Sequence, residues 1–135
     1  MNTLKVYIER GDDGRYSAYL EDCMSLPFGL IGEGDTVQET IDDWNAVYDA
    51  MSADYVAQGN SFDGVDFSFA YDVPSFLRYY AGKLSFAGLS KLTGVSASQL
   101  SQYANGFRNP SPRTTQKIQT ALHAFGQELS QVQLV

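Results

Sequence analysis

Ser85-Phe86-Ala87-Gly88-Leu89-Ser90-Lys91-Leu92-Thr93-Gly94-Val95-Ser96-Ala97-Ser98-Gln99-Leu100-Ser101-Gln102-Tyr103-Ala104-Asn105-Gly106 reads as a helix, a tight turn at Gly94 and a second helix. Ser90 is small enough for two helices to cross closely. Gly94 can take the left-handed conformation that ends the first helix, and Val95, Leu100 and Tyr103 pack the second onto it. Ser96 with Gln99 makes a capping box, and Asn105-Gly106 stops the second helix. Downstream, Ser111-Pro112 opens a last helix with Ile118, Leu122, Phe125 and Leu129 at helical spacing, which Gly126 is expected to end early. The tail Gln131-Val132-Gln133-Leu134-Val135 is apolar enough to pair as a strand or to continue as helix across a dimer seam, with a frayed end as the alternative. Upstream, Pro74 and Ser75 open a helix with Phe76, Leu77, Tyr80, Ala81 and Leu84 inward. Residues 74–135 are therefore expected to be all helical.

The period changes before Pro74. Leu4-Lys5-Val6-Tyr7-Ile8-Glu9 alternates with the period of two of a strand that lays one face on a core. Gly11-Asp12-Asp13-Gly14 supplies turn residues, and alternation resumes through Tyr16, Ala18 and Leu20, which predicts a hairpin. The apolar run Phe28 to Ile31 is expected to be a third strand. Thr36-Val37-Gln38-Glu39 matches a capping box, behind which Val37, Ile41, Trp44, Tyr48, Met51 and Tyr55 form one apolar helical stripe with Asp42, Asp43 and Asp49 off it. Gly59-Asn60 ends that helix, and Asp66 to Val73 alternates as a fourth strand. The expected fold class is α+β: a β-β-β-α-β module over residues 1–73, its last strand returning beside the first and its helix across one face of the sheet, followed by an all-α domain over residues 74–135.

Charge divides the chain at the same place. Residues 1–74 hold three basic groups against fifteen acidic, −12, and residues 75–135 hold six basic against Glu128 alone, +5, which together give the net −7. The average argues against a nucleic-acid partner, yet the division points either to two modules, the first facing a cationic surface and the second a polyanion, or to acidic residues that merely solvate the first half. At 44% hydrophobic the chain can bury a core, and its 135 residues exclude barrel enzymes and full dinucleotide-binding folds. A single cysteine, Cys23, and a single histidine, His123, offer neither an internal disulfide nor zinc-ligand spacing, so no metal and no cofactor is expected. His123 reads as a half-buried or surface residue. MNTLKVYIERGDDG lacks the apolar stretch of a signal or a membrane span, and the expected location is the cytoplasm.

The stretch 85–106, with Phe107-Arg108-Asn109-Pro110-Ser111-Pro112 behind it, resembles the helix-turn-helix of lambda-repressor-like (XRE-type) DNA-binding domains. It departs from them at Ser90, where alanine is usual. With the second helix in a major groove, Leu100 and Tyr103 face inward, and Ala97, Ser98, Ser101 and Gln102 form the exposed set that reads bases. Gln102 can donate to and accept from adenine, and Ala97 can touch a thymine methyl. Lys91, Asn105, Arg108 and Arg113 are placed for phosphates. So small a module has few cationic contacts, and a dimer reading two half-sites about 34 Å apart is the expected working form.

Taken together, the Glu-Arg-Gly-Asp-Asp-Gly-Arg-Tyr hairpin, the Gly34-Asp35-Thr36 helix entry and the helix-turn-helix behind them resemble HicB antitoxins of bacterial toxin-antitoxin pairs. Cys23-Met24-Ser25-Leu26-Pro27-Phe28-Gly29 stands where many members carry a Leu-Pro-Gly-Cys-like segment. The resemblance implies a degenerate RNase H-like first module that blocks a small basic ribonuclease toxin, HicA, and a second module that binds double-stranded operator DNA of its own promoter, as a homodimer or a dimer of dimers. Asp12, Asp13, Asp35, Asp42 and Asp43 are the candidate toxin-facing residues, because a carboxylate-rich module can compete with RNA for a cationic surface. Two rivals exist. RNase H-type catalysis would need Glu9, Glu39 and Asp72 to converge on metal ions, and a stand-alone repressor sensing a small ligand would use Phe67, Phe69 and Tyr71 as pocket walls.

Overall fold

A computed structural model describes residues 2–135. They form two compact units, divided between Tyr79 and Tyr80.

The first unit is a four-stranded sheet with one long helix. β1 (Thr3–Arg10), β2 (Tyr16–Leu20), β3 (Ile31–Gly34) and β4 (Asp66–Tyr71) lie in the order β3-β2-β1-β4. The hairpin turns where Gly11 donates to the Arg15 carbonyl at 2.7 Å and Gly14 takes a φ of 82°. β4 returns after the helix and pairs parallel to β1, from Thr3 opposite Asp66 to Ile8 opposite Tyr71. This is the expected return beside the first strand. The helix α1 (Val37–Ala57) starts at Thr36, whose hydroxyl accepts the Glu39 N–H at 3.1 Å, while Glu39 reaches back to the Asp35 N–H. The reciprocal pairing satisfies two amides that the helix cannot. Its stripe enters the core through Val37, Ile41 and the fully buried Trp44, which meet Val6, Ile8, Tyr16, Ala18 and Leu20. Trp44 and Tyr48 both pack edge-on against Phe67, at ring-centre distances of 5.3 and 4.8 Å.

Three boundaries in the first unit differ from expectation. The third strand is Ile31–Gly34, not 28–31. Phe28 and Leu30 pack against the core from the preceding loop, whereas the strand's inward positions are Gly32 and Gly34, both buried. A Cβ at Gly34 would come within 2.8 Å of the Thr40 nitrogen and one at Gly32 within 3.0 Å of the Thr40 carbonyl. The helix backbone rests directly on this strand, and only glycine fits between them. The fourth strand stops at Tyr71, since Asp72 leaves the sheet as a cap: one carboxylate oxygen accepts the Ser75 N–H and the other the Arg10 N–H, each at 2.9 Å. The helix after it, α2 (Val73–Tyr79), is shorter than expected and lies in the first unit, in contact with β1, β4 and α1, so Tyr80, Ala81 and Leu84 fall beyond its end. Tyr79 stacks on Tyr71 with ring centres 5.6 Å apart.

The second unit holds α3 (Phe86–Thr93), α4 (Ala97–Ala104) and α5 (Pro112–Ser130). Leu89, Val95, Leu100, Tyr103, Ala104 and Ile118 are its buried apolar residues. α5 does not end at Gly126 but runs four residues past it. An interior glycine costs a helix only about 1 kcal/mol relative to alanine, and Gln127, Glu128 and Leu129 carry the helix on. The tail beyond Ser130 forms neither strand nor helix. His123 is exposed on α5.

Candidate nucleic-acid interface

Local chemistry fixes the path of the second unit from Ser85 onward. The Ser85 hydroxyl accepts the Gly88 N–H at 3.0 Å and starts α3. Gly94 ends it with a φ of 75° and an N–H to the Ser90 carbonyl at 2.9 Å, the single-bond left-handed cap. The buried Thr93 donates its hydroxyl to the Leu89 carbonyl and accepts the Val95 N–H, so the two sides of the turn are tied through one oxygen. Ser96 starts α4 by accepting the Gln99 N–H at 3.1 Å. α4 closes in a Schellman arrangement: Phe107 donates to the Gln102 carbonyl at 2.9 Å, Gly106 donates to the Tyr103 carbonyl at 3.1 Å, and Gly106 is left-handed. Ser111 caps α5 on the Thr114 N–H, with Pro112 in the first turn where no N–H is needed.

Three short-linked helices with both α4 ends fixed, α3 packed on α4 and on α5, make a rigid platform that presents the outer side of α4. Residues 82–123 match the family described as Helix-turn-helix. The match takes in α3, α4 and most of α5, and leaves the first unit outside it. No curated protein and no solved structure matches the chain.

On the helix-turn-helix, Ala97 and Ser98 are exposed at the start of α4, as expected of the outer set, whereas Ser101 and Gln102 are only half-exposed. They flank the ridge of Leu100, Tyr103 and Ala104 that packs inward. Gln102 lies back far enough for its Oε1 to be buried, with no hydrogen-bond partner among the described residues. Lys91, Arg108 and Arg113 are exposed, on the last turn of α3, in the loop after α4 and in the first turn of α5. Asn105 is half-buried as the residue that closes α4, its N–H on the Ser101 carbonyl. Lys117 was not singled out by sequence. It is exposed on α5, and a Cβ at Gly94 would lie 3.3 Å from its ammonium nitrogen. Only the packing of α5 brings it to the turn, and the one sequence signal was its share of the positive charge.

In the first unit the five candidate carboxylates lie on the hairpin, at the entry to α1 and in its first turns. Asp12 and Asp13 are exposed on the hairpin, where Asp13 accepts the Arg15 N–H, and both line a shallow groove with Arg15 and Glu33. Asp35 sits 3.6 Å from the Arg15 guanidinium. Asp42 accepts from the Gln38 amide, and the half-buried Asp43 accepts the Glu33 N–H at 2.8 Å. Glu9, Glu39 and Asp72 are each engaged elsewhere: Glu9 accepts from the Tyr19 hydroxyl, Glu39 from the Asp35 amide, and Asp72 caps α2. Among the described residues no three His, Cys, Asp or Glu side chains come together as metal ligands would. Phe67, Phe69 and Tyr71 are half-buried and pack against the core. The open apolar groove of this unit lies along α1 and is lined by Tyr48, Ser52, Val56 and Phe62 among others. No helix of the described residues is long and apolar enough to cross a membrane.

Proposed function

We propose that the chain is a DNA-binding transcriptional regulator of the antitoxin kind. Its helix-turn-helix binds double-stranded operator DNA upstream of its own gene, and its first unit, a degenerate RNase H-like module, neutralises a small basic HicA-type ribonuclease. The observation that carries this reading is the reversal of charge across the boundary between the units. The first 79 residues hold four basic groups against fifteen acidic, −11, and residues 80–135 hold five against one, +4. A surface that grips polyanions and a surface that imitates them are the two halves of such a device.

Ala97, Ser98 and Ser101 read base edges, Gln102 stands outside that set because its amide oxygen is buried, and Lys91, Asn105, Arg108 and Arg113, joined by Lys117, hold phosphates. The chain acts as a homodimer, or as a dimer of dimers, through α5. Ile118, Leu122, Phe125 and Leu129 step by four, three and four, the spacing of a coiled-coil seam. Ile118 is buried in its own unit, Leu122 and Phe125 are half-buried, and Leu129 is 52% exposed. Asp12, Asp13, Asp35, Asp42 and Asp43 supply the field that draws the toxin in. The protein works in the cytoplasm, without catalysis of its own.

The test uses the full chain in two assays. Gel shifts compare the fragment upstream of its gene with a scrambled fragment of equal length, and tandem expression with the neighbouring short basic reading frame asks whether the two products co-purify. Equal binding to both fragments overturns the operator, and a basic product that elutes alone overturns the antitoxin.

A further inference from the structure

The sheet of the first unit has two faces, and α1 covers one of them. Val6, Ile8 and Ala18 on that face are wholly buried. The other face carries the alternate residues, and the strand registers set them in rows. Ile31 of β3 stands opposite Tyr19 of β2, Tyr19 opposite Tyr7 of β1, and Tyr7 opposite Ala70 of β4. One apolar or aromatic side chain from each strand thus forms a band across all four. The Tyr7 and Tyr19 rings are 5.6 Å apart, and Ile31 at its end is 55% exposed. Tyr7, Tyr19 and Ala70 are half-buried, with the Lys5 ammonium 5.9 Å from the Tyr7 ring centre, and Lys5, Glu9, Ile31, Glu33 and Ser68 on the same face are all exposed.

Charge says what belongs there. Along one side of the band the registers align Glu9, Ser17 and Glu33. Along the other, Lys5 is already neutralised by Glu21 at 3.5 Å. The result is a tyrosine-centred apolar strip with an acidic margin, the anatomy of a protein interface in which aromatic anchors lie inside a polar rim. Nucleic acid is repelled by that margin. A second copy of the same face would set Glu9 and Glu33 against their like, a juxtaposition that like charges disfavour. An arginine-bearing surface fits both parts, since guanidinium planes stack on tyrosine rings and pair with carboxylates beside them.

The geometry points to this open sheet face as the docking surface for a cationic, arginine-bearing protein. The inference rests on the partner proposed for the first unit, and it moves the contact itself from the hairpin and helix carboxylates to the Ile31-Tyr19-Tyr7-Ala70 band. The test measures affinity of the full chain for the purified product of the neighbouring basic reading frame. Ile31→Arg places a positive charge within the band at an exposed position, and Glu33→Lys reverses its margin. Asp49→Lys makes the same change of charge on the exposed side of α1, and thermal melts of all three report whether they fold. Ile31→Arg is expected to weaken binding about 100-fold, because it sets a like charge against the cationic partner on the apolar strip, and Glu33→Lys about tenfold, with Asp49→Lys within about threefold of the unmodified chain. Folded Ile31→Arg and Glu33→Lys that bind as the unmodified chain does overturn the docking face and leave the antitoxin standing. An unmodified chain that does not bind the basic product overturns both. Loss of self-association by Ile31→Arg in sedimentation, with partner affinity intact, gives the face to a second copy and overturns the proposal.

Discussion

Tyr19 and Glu9 meet on the uncovered side of the sheet, where the phenol donates to the carboxylate. That hydrogen bond, with desolvation and the Glu9 charge behind it, pushes the Tyr19 hydroxyl up to about 12. A raised pKa means that the pair's contribution to stability is complete below pH 10, where the unfolded phenol is also protonated, and is lost as pH rises through 12. Alkaline titration followed by tyrosinate absorbance should show Tyr19 ionising late, and Glu9→Gln should return it towards 10. Gly34 gives a second residue-scale expectation. Its missing Cβ would sit 2.8 Å from the Thr40 nitrogen, so Gly34→Ala should cost about 1–3 kcal/mol in denaturant unfolding, the usual penalty of overpacking. This glycine pair is also why the third strand was misplaced by sequence. Hydrophobic alternation marks a strand only when its inner side chains are apolar, and here the inner positions are empty. Gln102 escaped for the opposite reason: an amide at an outer helical position reads as solvent-facing until the packing shows that its oxygen has turned inward.

At the level of the element, what was legible is what is local. Thr36, Ser85, Ser96 and Ser111 each cap the helix that follows, and each start could be read because a cap involves residues two or three apart. The left-handed glycines at 94 and 106 were legible on the same ground. α2 was not. Its amphipathic spacing predicts a helix, but its place in the first unit depends on Asp72, which ties the helix start to Arg10 sixty-two residues away. Asp72→Ala should therefore destabilise the first unit by about 2 kcal/mol, the loss of one cap and one charged hydrogen bond. Calorimetry should show the melting transition of that unit lowered and the other unchanged. Along α5, Leu129→Asp should abolish self-association in sedimentation without lowering helix content, because Leu129 is already exposed.

For the whole molecule, the charge reversal was plain in the sequence, though the structural boundary falls between Tyr79 and Tyr80 rather than after residue 73. Composition records charge without knowing which helix carries it to which core. DNA affinity should fall steeply with salt, and Arg108→Ala should lower the slope of log K against log salt by about one while weakening binding to all sequences alike. Fluorescence anisotropy at several potassium concentrations checks both. The strand order carries one more consequence, for synthesis. β1 ends up inside the sheet, and its parallel neighbour starts only at Asp66. At about 5–20 residues per second, a ribosome needs roughly 3–11 s to translate the intervening stretch. For that interval the nascent chain holds a hairpin with one flank of β1 unpaired, an exposed edge that a chaperone would shelter.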